Sequence, residues 1–235
     1  MCFTTTAIFA QSLEIWVENY PPFGYEDSKT KEIKGLSVDM TRSVVKDAGI
    51  QITSFVFAPW SRVFEEAKRR PNILLSAAVV RNPEREELFH WLGPIADRNI
   101  YLFKLKNRTD IVLKSVEDAK RYRVGSVIRA ASGDFLESKG IKLERVPEYT
   151  QNLRKLLLDR IDLADALDYS FAFLAKQEGV SFSKFEKALM VDVSKKYYLA
   201  LSKTTSSEIV AALQKSFKKL KESGEIERIQ NEYLK

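Results

Sequence analysis

The chain has 235 residues, 45% of them hydrophobic and 11% aromatic, with a formal net charge of +6. That length allows one large or two small domains, and the apolar share is that of a globular protein, not a disordered one. One cysteine (Cys2) and one histidine (His90) exclude an intrachain disulfide and leave no basis for the common zinc sites or a Ser-His-Asp triad.

Residues 1–10 read as the remnant of a secretory signal peptide. Ala7, Ile8 and Phe9 are apolar and a small Ala10 precedes Gln11-Ser12, although a charged leader is missing. Such a signal implies export across a membrane, the alternative being that the likeness is a coincidence. No window approaches the ~18 apolar residues of a membrane span. A strand is predicted over 13–17, followed by an aromatic and proline-rich loop, ENYPPFGYED. Residues 36–48 carry apolar positions at helical spacing and Gly49 caps them. A strand over 52–57, a helix over 60–69 with Pro59 at its start, and a strand over 72–80 come next. The alternation then continues. Strands are predicted over 100–104, 123–128, 142–146 and 161–166, with helices near 116–120 and over 133–139, 150–159 and 169–177. A late strand covers 197–202. Helices over 206–223 and 224–234 close the chain, with Ile209, Leu213, Phe217 and Leu220 on a core face. Strands alternating with helices point to βαβ units and largely parallel sheets.

The basic clusters are local: Lys68 to Arg70, Lys120 to Arg123 and Lys218 to Lys221. Each falls near a predicted helix end or an exposed face, where cations complement the helix dipole, so no nucleic-acid partner is expected. No Gly-rich phosphate loop occurs, and no cofactor is expected. The organising stretch is SAAVVRNPEREELFHWLGP, from Ser76 to Pro94. It runs from a buried strand end through an Asn82-Pro83 turn to Arg85. Ligands of open α/β sheets bind at such strand ends, and a guanidinium suits bidentate capture of a carboxylate. The alternative is a surface arginine paired with Glu84 or Glu86.

Six ordered pieces carry a family likeness: NYPPFGYED, KGLSVDMTRSVVKDAGI, APWSRVFEEAKRRPNILLSAAVVRNPEREELFHWLGPI, YRVGSV, NLRKLLLDRIDLADALD, and the closing YYLALSK with LQKSFKKLKESGEIERIQNEY. Over nearly the whole length, from residue 13 to 235, the chain resembles bacterial periplasmic solute-binding proteins of the polar amino-acid ABC-transport family. The resemblance implies an α/β, two-lobed type II fold, each lobe a mostly parallel sheet flanked by helices. Lobe one would comprise 11–95 and 197–235, lobe two 99–195, with a hinge near 96–98 and 196. It also implies a monomer that closes on a small polar ligand, with an ABC permease as partner and no catalysis. A stand-alone sensory module for a membrane receptor and a carboxylate-based dehydratase on the same fold are the alternatives.

By the same resemblance Arg85 holds a ligand carboxylate, with Ala78 and Asn82 beside it. Val80 stands where the family often has a threonine. Tyr20 and Trp60 match the aromatic walls of the cleft, the alternative being ordinary loop and core aromatics. The turn containing Arg129, Ala130, Ala131, Ser132 and Gly133 resembles the one whose amides meet the carboxylate. Ser132 is a candidate contact, and Arg129 either a second cation or an exposed loop residue. The ammonium partner falls at Leu167 without a gap, so Asp168, one residue on, is the candidate, or else only an N-cap. Arg62 is left between the cleft and solvent, and Trp16 and Trp91 are assigned to packing.

Overall fold

The computed structural model describes residues 12–27, 30–192 and 196–234; the signal-like stretch 1–10 lies outside the described residues. The chain opens with β1 (Ser12–Val17), then a short hairpin, β2 (Tyr25–Glu26) with β3 (Ile33–Lys34). Next come α1 (Leu36–Asp47), β4 (Gln51–Phe57), α2 (Trp60–Arg69), β5 (Ile73–Val80), the single turn α3 (Pro83–Glu86) and β6 (Phe89–Asp97). A second group follows: β7 (Ile100–Leu105), β8 (Val124–Val127), α4 (Ala131–Ser138), β9 (Leu143–Val146), α5 (Tyr149–Leu157), β10 (Leu163–Leu167), α6 (Asp168–Gln177) and β11 (Phe185–Asp192). The chain ends with β12 (Lys196–Ser202), α7 (Ser207–Glu222) and α8 (Glu225–Leu234).

These strands form two five-stranded sheets, ordered β4-β1-β5-β12-β6 and β11-β7-β10-β8-β9. The chain passes from the first sheet to the second between Asp97 and Ile100, and returns between Asp192 and Lys196. Each sheet is mixed. The ladders β1–β4, β1–β5, β8–β9 and β8–β10 are parallel, as the βαβ pattern predicts. Within these two sheets the antiparallel ladders all involve β7 or β12, the strands that follow the two crossings.

Besides the short hairpin β2–β3, sequence reading passes over β6 and β11, and both of these are edges of the five-stranded sheets. In β6 the Gly93-Pro94 pair reads as punctuation. An edge strand tolerates a proline because one side of it needs no ladder donor. β11 (FEKALMVD) is a bulged edge strand whose Met190 is exposed, and its apolar alternation is correspondingly weak. The central β5 has the opposite character. All eight of its residues are buried, which is why ILLSAAVV is one unbroken small and apolar run.

Helices cover both faces of the first sheet. α2 turns Trp60, Val63, Phe64 and Ala67 inward at i, i+3, i+4, i+7 spacing, onto Trp16, Ile73 and Leu75. On the other face α1, α7 and α8 pack over Leu13, Ile15, Leu74 and Leu199. α7 buries Ile209, Val210, Leu213 and Phe217, with Leu220 partly buried, and Ser206 caps it by accepting from the Ile209 amide. The start of α1 depends on Gly35: its φ is +133°, and a Cβ there would stand 2.2 Å from the Phe23 carbonyl oxygen.

The second sheet has one apolar layer under α5 and α6 and another under α4. Its fixed point is Asp162. This carboxylate accepts from the Arg123 amide and side chain and from Arg108, at 2.8–3.0 Å. Those charge-assisted bonds hold its carboxyl well below the usual range. The Arg160-Ile161-Asp162 motif thus ties the entry of β10 to β8.

Candidate functional site

The site lies where the two sheets face each other. Glu18 and Tyr20 follow the end of β1, Ala78 and Val80 close β5, and Trp60 opens α2. Arg85 comes from α3, and Arg98 from the crossing between β6 and β7. The second lobe contributes Ala130, Ala131 and Ser132 at the start of α4 and Tyr149 at the start of α5. Tyr197 is supplied by β12. The free space between these side chains is only about 20 Å³, the scale of a single water. The two lobes therefore meet directly, and a ligand larger than a water enters only if they separate.

Arg85 is 6% exposed, so it is not a surface arginine. Glu86 pairs instead with Arg81, in a two-bond fork at 2.5 and 2.8 Å. Asn82 does not line the cleft. It caps α3, its side chain accepting from the Arg85 amide at 3.0 Å, and so fixes where Arg85 begins. The Arg85 guanidinium lies 5.7 Å from the Trp60 ring and 5.1 Å from the Phe64 ring, and 3.9 Å from Asp134 of the second lobe. It also donates to the Arg129 carbonyl oxygen at 2.8 Å.

Arg129 contributes its backbone, not its charge, to this junction. Its φ of +61° turns the carbonyl toward lobe one, where Trp60 Nε1 also donates to it at 2.9 Å. The Arg129 guanidinium goes to Glu65 at 2.8 Å, at the mouth of the cleft. The expectation of a second cleft cation at Arg129 thus gives way to Arg98, which is 2% exposed and 6.0 Å from the Tyr197 ring.

Tyr20 lines the cleft, and Tyr149 of the second lobe stacks on it at 4.2 Å between ring centres. Its hydroxyl accepts from the Leu167 amide at 3.3 Å. Ser132 and Ala78 both line the cleft. Asp168 does not: it sits in the first turn of α6 and takes Lys187 at 3.1 Å. Leu167 is fully buried. Asp165 is buried near Ser126 and Ser132, and desolvation raises its pKa against the influence of those hydroxyls.

Four cleft residues escape the sequence reading: Glu18, Arg98, Tyr149 and Tyr197. Glu18 had a usable signal, since an acid directly after an apolar strand stands where α/β sheets bind ligands. It is 5% exposed and accepts from the Ala78 amide at 3.3 Å. Burial pushes its carboxyl up to about 8, against the pull of that amide and of the Arg85 charge. The phenols of Tyr149 and Tyr197 are likewise raised by burial. The arrangement offers anion donors from both lobes: two buried guanidiniums, and a helix α4 that begins without a side-chain cap. Against them stands one acid.

The model of the bacterial extracellular solute-binding proteins, family 3, matches residues 13–235. The L-cystine-binding protein TcyA of Bacillus subtilis (strain 168) is 22% identical over 215 residues, covering 92% of this chain and 78% of its own. A probable histidine-binding protein of Neisseria gonorrhoeae is 21% identical over 223 residues, covering 92% and 80%. Among solved structures, an ancestral arginine-binding protein bound to arginine superposes with a TM-score of 0.83 at 18% identity, covering 95% of this chain and 98% of that one. With two mixed sheets joined by two crossings and a family match across almost its full length, the chain belongs to the bacterial extracellular solute-binding proteins, family 3.

Proposed function

We propose that this protein captures a free amino acid in the cleft between its lobes, in the periplasm, and delivers it to an ABC permease. The observation that carries the reading is the buried Arg85, held by its capped turn against the start of α4. Such a guanidinium is costly to bury unless something anionic meets it, and a carboxylate matches its fork. The names of the relatives, which bind cystine, histidine and arginine, support an α-amino acid as that carboxylate's bearer.

Function would follow from opening and closing about a hinge near 96–98 and 196. A ligand that touches both lobes binds the closed form better than the open one, and shifts the population by that difference. Trp60 and Tyr20 supply the apolar walls in lobe one, Ser132 and the α4 amides the polar wall in lobe two. The permease then reads the closed pair of lobes.

A thermal-shift screen of the amino acids, including L-cystine, tests this. A ligand at 100 times its Kd adds about 2.7 kcal/mol, which raises Tm by about 5 °C or more in a chain this size. The expected result is a shift with at least one amino acid that Arg85→Ala abolishes. No shift with any of them, on protein freed of carried-over ligand by unfolding and refolding, overturns the reading.

A further inference from the structure

Of the acids in the chain, Glu18 is the one whose side chain lines the cleft, among the described residues. Asp168, which the sequence suggested for this role, is engaged by Lys187, and Asp165 is buried near Ser126 and Ser132, outside the cleft lining. Glu18 is nearly enclosed, yet its bonding is sparse. One long bond from the Ala78 amide reaches Oε1, and no ion pair to a lysine or arginine is formed among the described residues. Arg85 acts on it only through its field.

A buried carboxylate without a cation is unfavourable, and proteins remove such groups from their cores unless they are used. Here the acid is anchored at the end of β5 by a backbone amide, in the same small space as Arg85 and Arg98. That space holds two cationic side chains and one acid, which once ionised is the complement of a zwitterion whose carboxylate and ammonium lie close together. An ammonium entering beside a carboxylate on Arg85 would supply the hydrogen-bond donors that Glu18 lacks.

We propose that Glu18 is the residue that binds the α-ammonium group of the amino acid, making lobe one the reader of both ends of the zwitterion. This rests on the amino-acid reading above. It assigns second-lobe contacts, from Ser132 and the start of α4, to the carboxylate side and to closure. Glu18 then requires its charged form in the complex. Burial holds it largely protonated near neutral pH before the ligand arrives, so binding at pH 7 expels about one proton. The charged or titratable groups around it are Arg85, Arg98, Tyr149, Tyr197 and Asp165. Among these only the Glu18 carboxyl faces the ligand as an acid.

The test is calorimetric titration with the tightest-binding of L-glutamine, L-histidine and L-arginine, alongside the corresponding acid lacking the α-amino group. Glu18→Gln keeps the shape and the acceptor for the Ala78 amide. It is expected to weaken the amino acid at least tenfold while changing the deaminated acid less than twofold, which also shows that the variant is folded. Titrations at pH 7 in buffers of different ionisation enthalpy should show proton release in the wild type and none in Glu18→Gln. Equal losses for both probes, an unaffected amino acid, or the same proton release in the variant would overturn the assignment while leaving amino-acid binding intact. Failure of the wild type to bind any of the three amino acids counts against the underlying reading and removes the assignment with it.

Discussion

Arg85 of lobe one donates to the carbonyl oxygen of Arg129 in lobe two at 2.8 Å. The same oxygen accepts from Trp60 Nε1 at 2.9 Å, so one turned carbonyl joins the candidate carboxylate anchor and the candidate aromatic wall. A bound carboxylate would compete with that carbonyl for the Arg85 fork. Closure and ligand capture therefore draw on the same donors.

The carbonyl junction predicts an effect of Trp60→Phe. The ring is kept, and one hydrogen bond worth about 1 kcal/mol net is lost, a factor of about five in the closed-to-open ratio. Small-angle scattering of the ligand-free variant should give a larger radius of gyration than the wild type. Identical scattering would mean that this bond does not hold the lobes together.

Asp162 is predicted to be structural. It is 8% exposed and accepts from two arginines and a backbone amide. Asp162→Ala would leave that cluster unbalanced and destabilise the protein by about 3 kcal/mol, measured by urea unfolding. Its depressed pKa fixes the sign with pH. The stabilisation is complete above the ordinary carboxyl range near pH 4 and is lost as pH falls below it, because the unfolded chain takes up the proton first. Asp162→Asn should flatten that acid-side loss, and a variant as acid-sensitive as the wild type would refute the role.

Glu18 predicts the opposite slope. Its folded pKa of about 8 lies above the ordinary range of a glutamate carboxyl, so the native state holds a proton that the unfolded chain has released. Stability should fall as pH rises through that window. Between pH 5.5 and 7.5 the wild type is expected to lose about 2 kcal/mol relative to Glu18→Gln without ligand. Parallel pH profiles for the two proteins would contradict a buried, protonated Glu18.

Much of the fold was written in local pattern. The unbroken run of β5, the i, i+3, i+4, i+7 spacing of α2 and the core face of α7 each depend on burial against one sheet face, and burial leaves periodicity in the sequence. The edge strands β6 and β11 were not legible, because an edge tolerates Pro94 and an exposed Met190. The site divides along a similar line. Arg85, Trp60, Tyr20, Ala78 and Ser132 sit at element ends that the motifs mark, and the fold brings them together. Asp168 went the other way, since one residue of offset at the start of α6 turns a side chain out of the cleft and toward Lys187. Tyr149 and Tyr197 carry no local mark at all. Tyr149 reaches the cleft through the docking of the second lobe on Tyr20, and Tyr197 through the pairing of the returning β12 with β5, which is tertiary information in both cases.

The most direct measurement is isothermal titration of the amino acid that gives the largest thermal shift, into wild type and Arg85→Ala at equal pH and salt. The account predicts a saturable one-to-one isotherm for the wild type and at least a tenfold weaker one for the variant, about 1.4 kcal/mol. Equal affinities would contradict the assignment of Arg85 as the carboxylate anchor, and with it the placement of the ligand between the lobes.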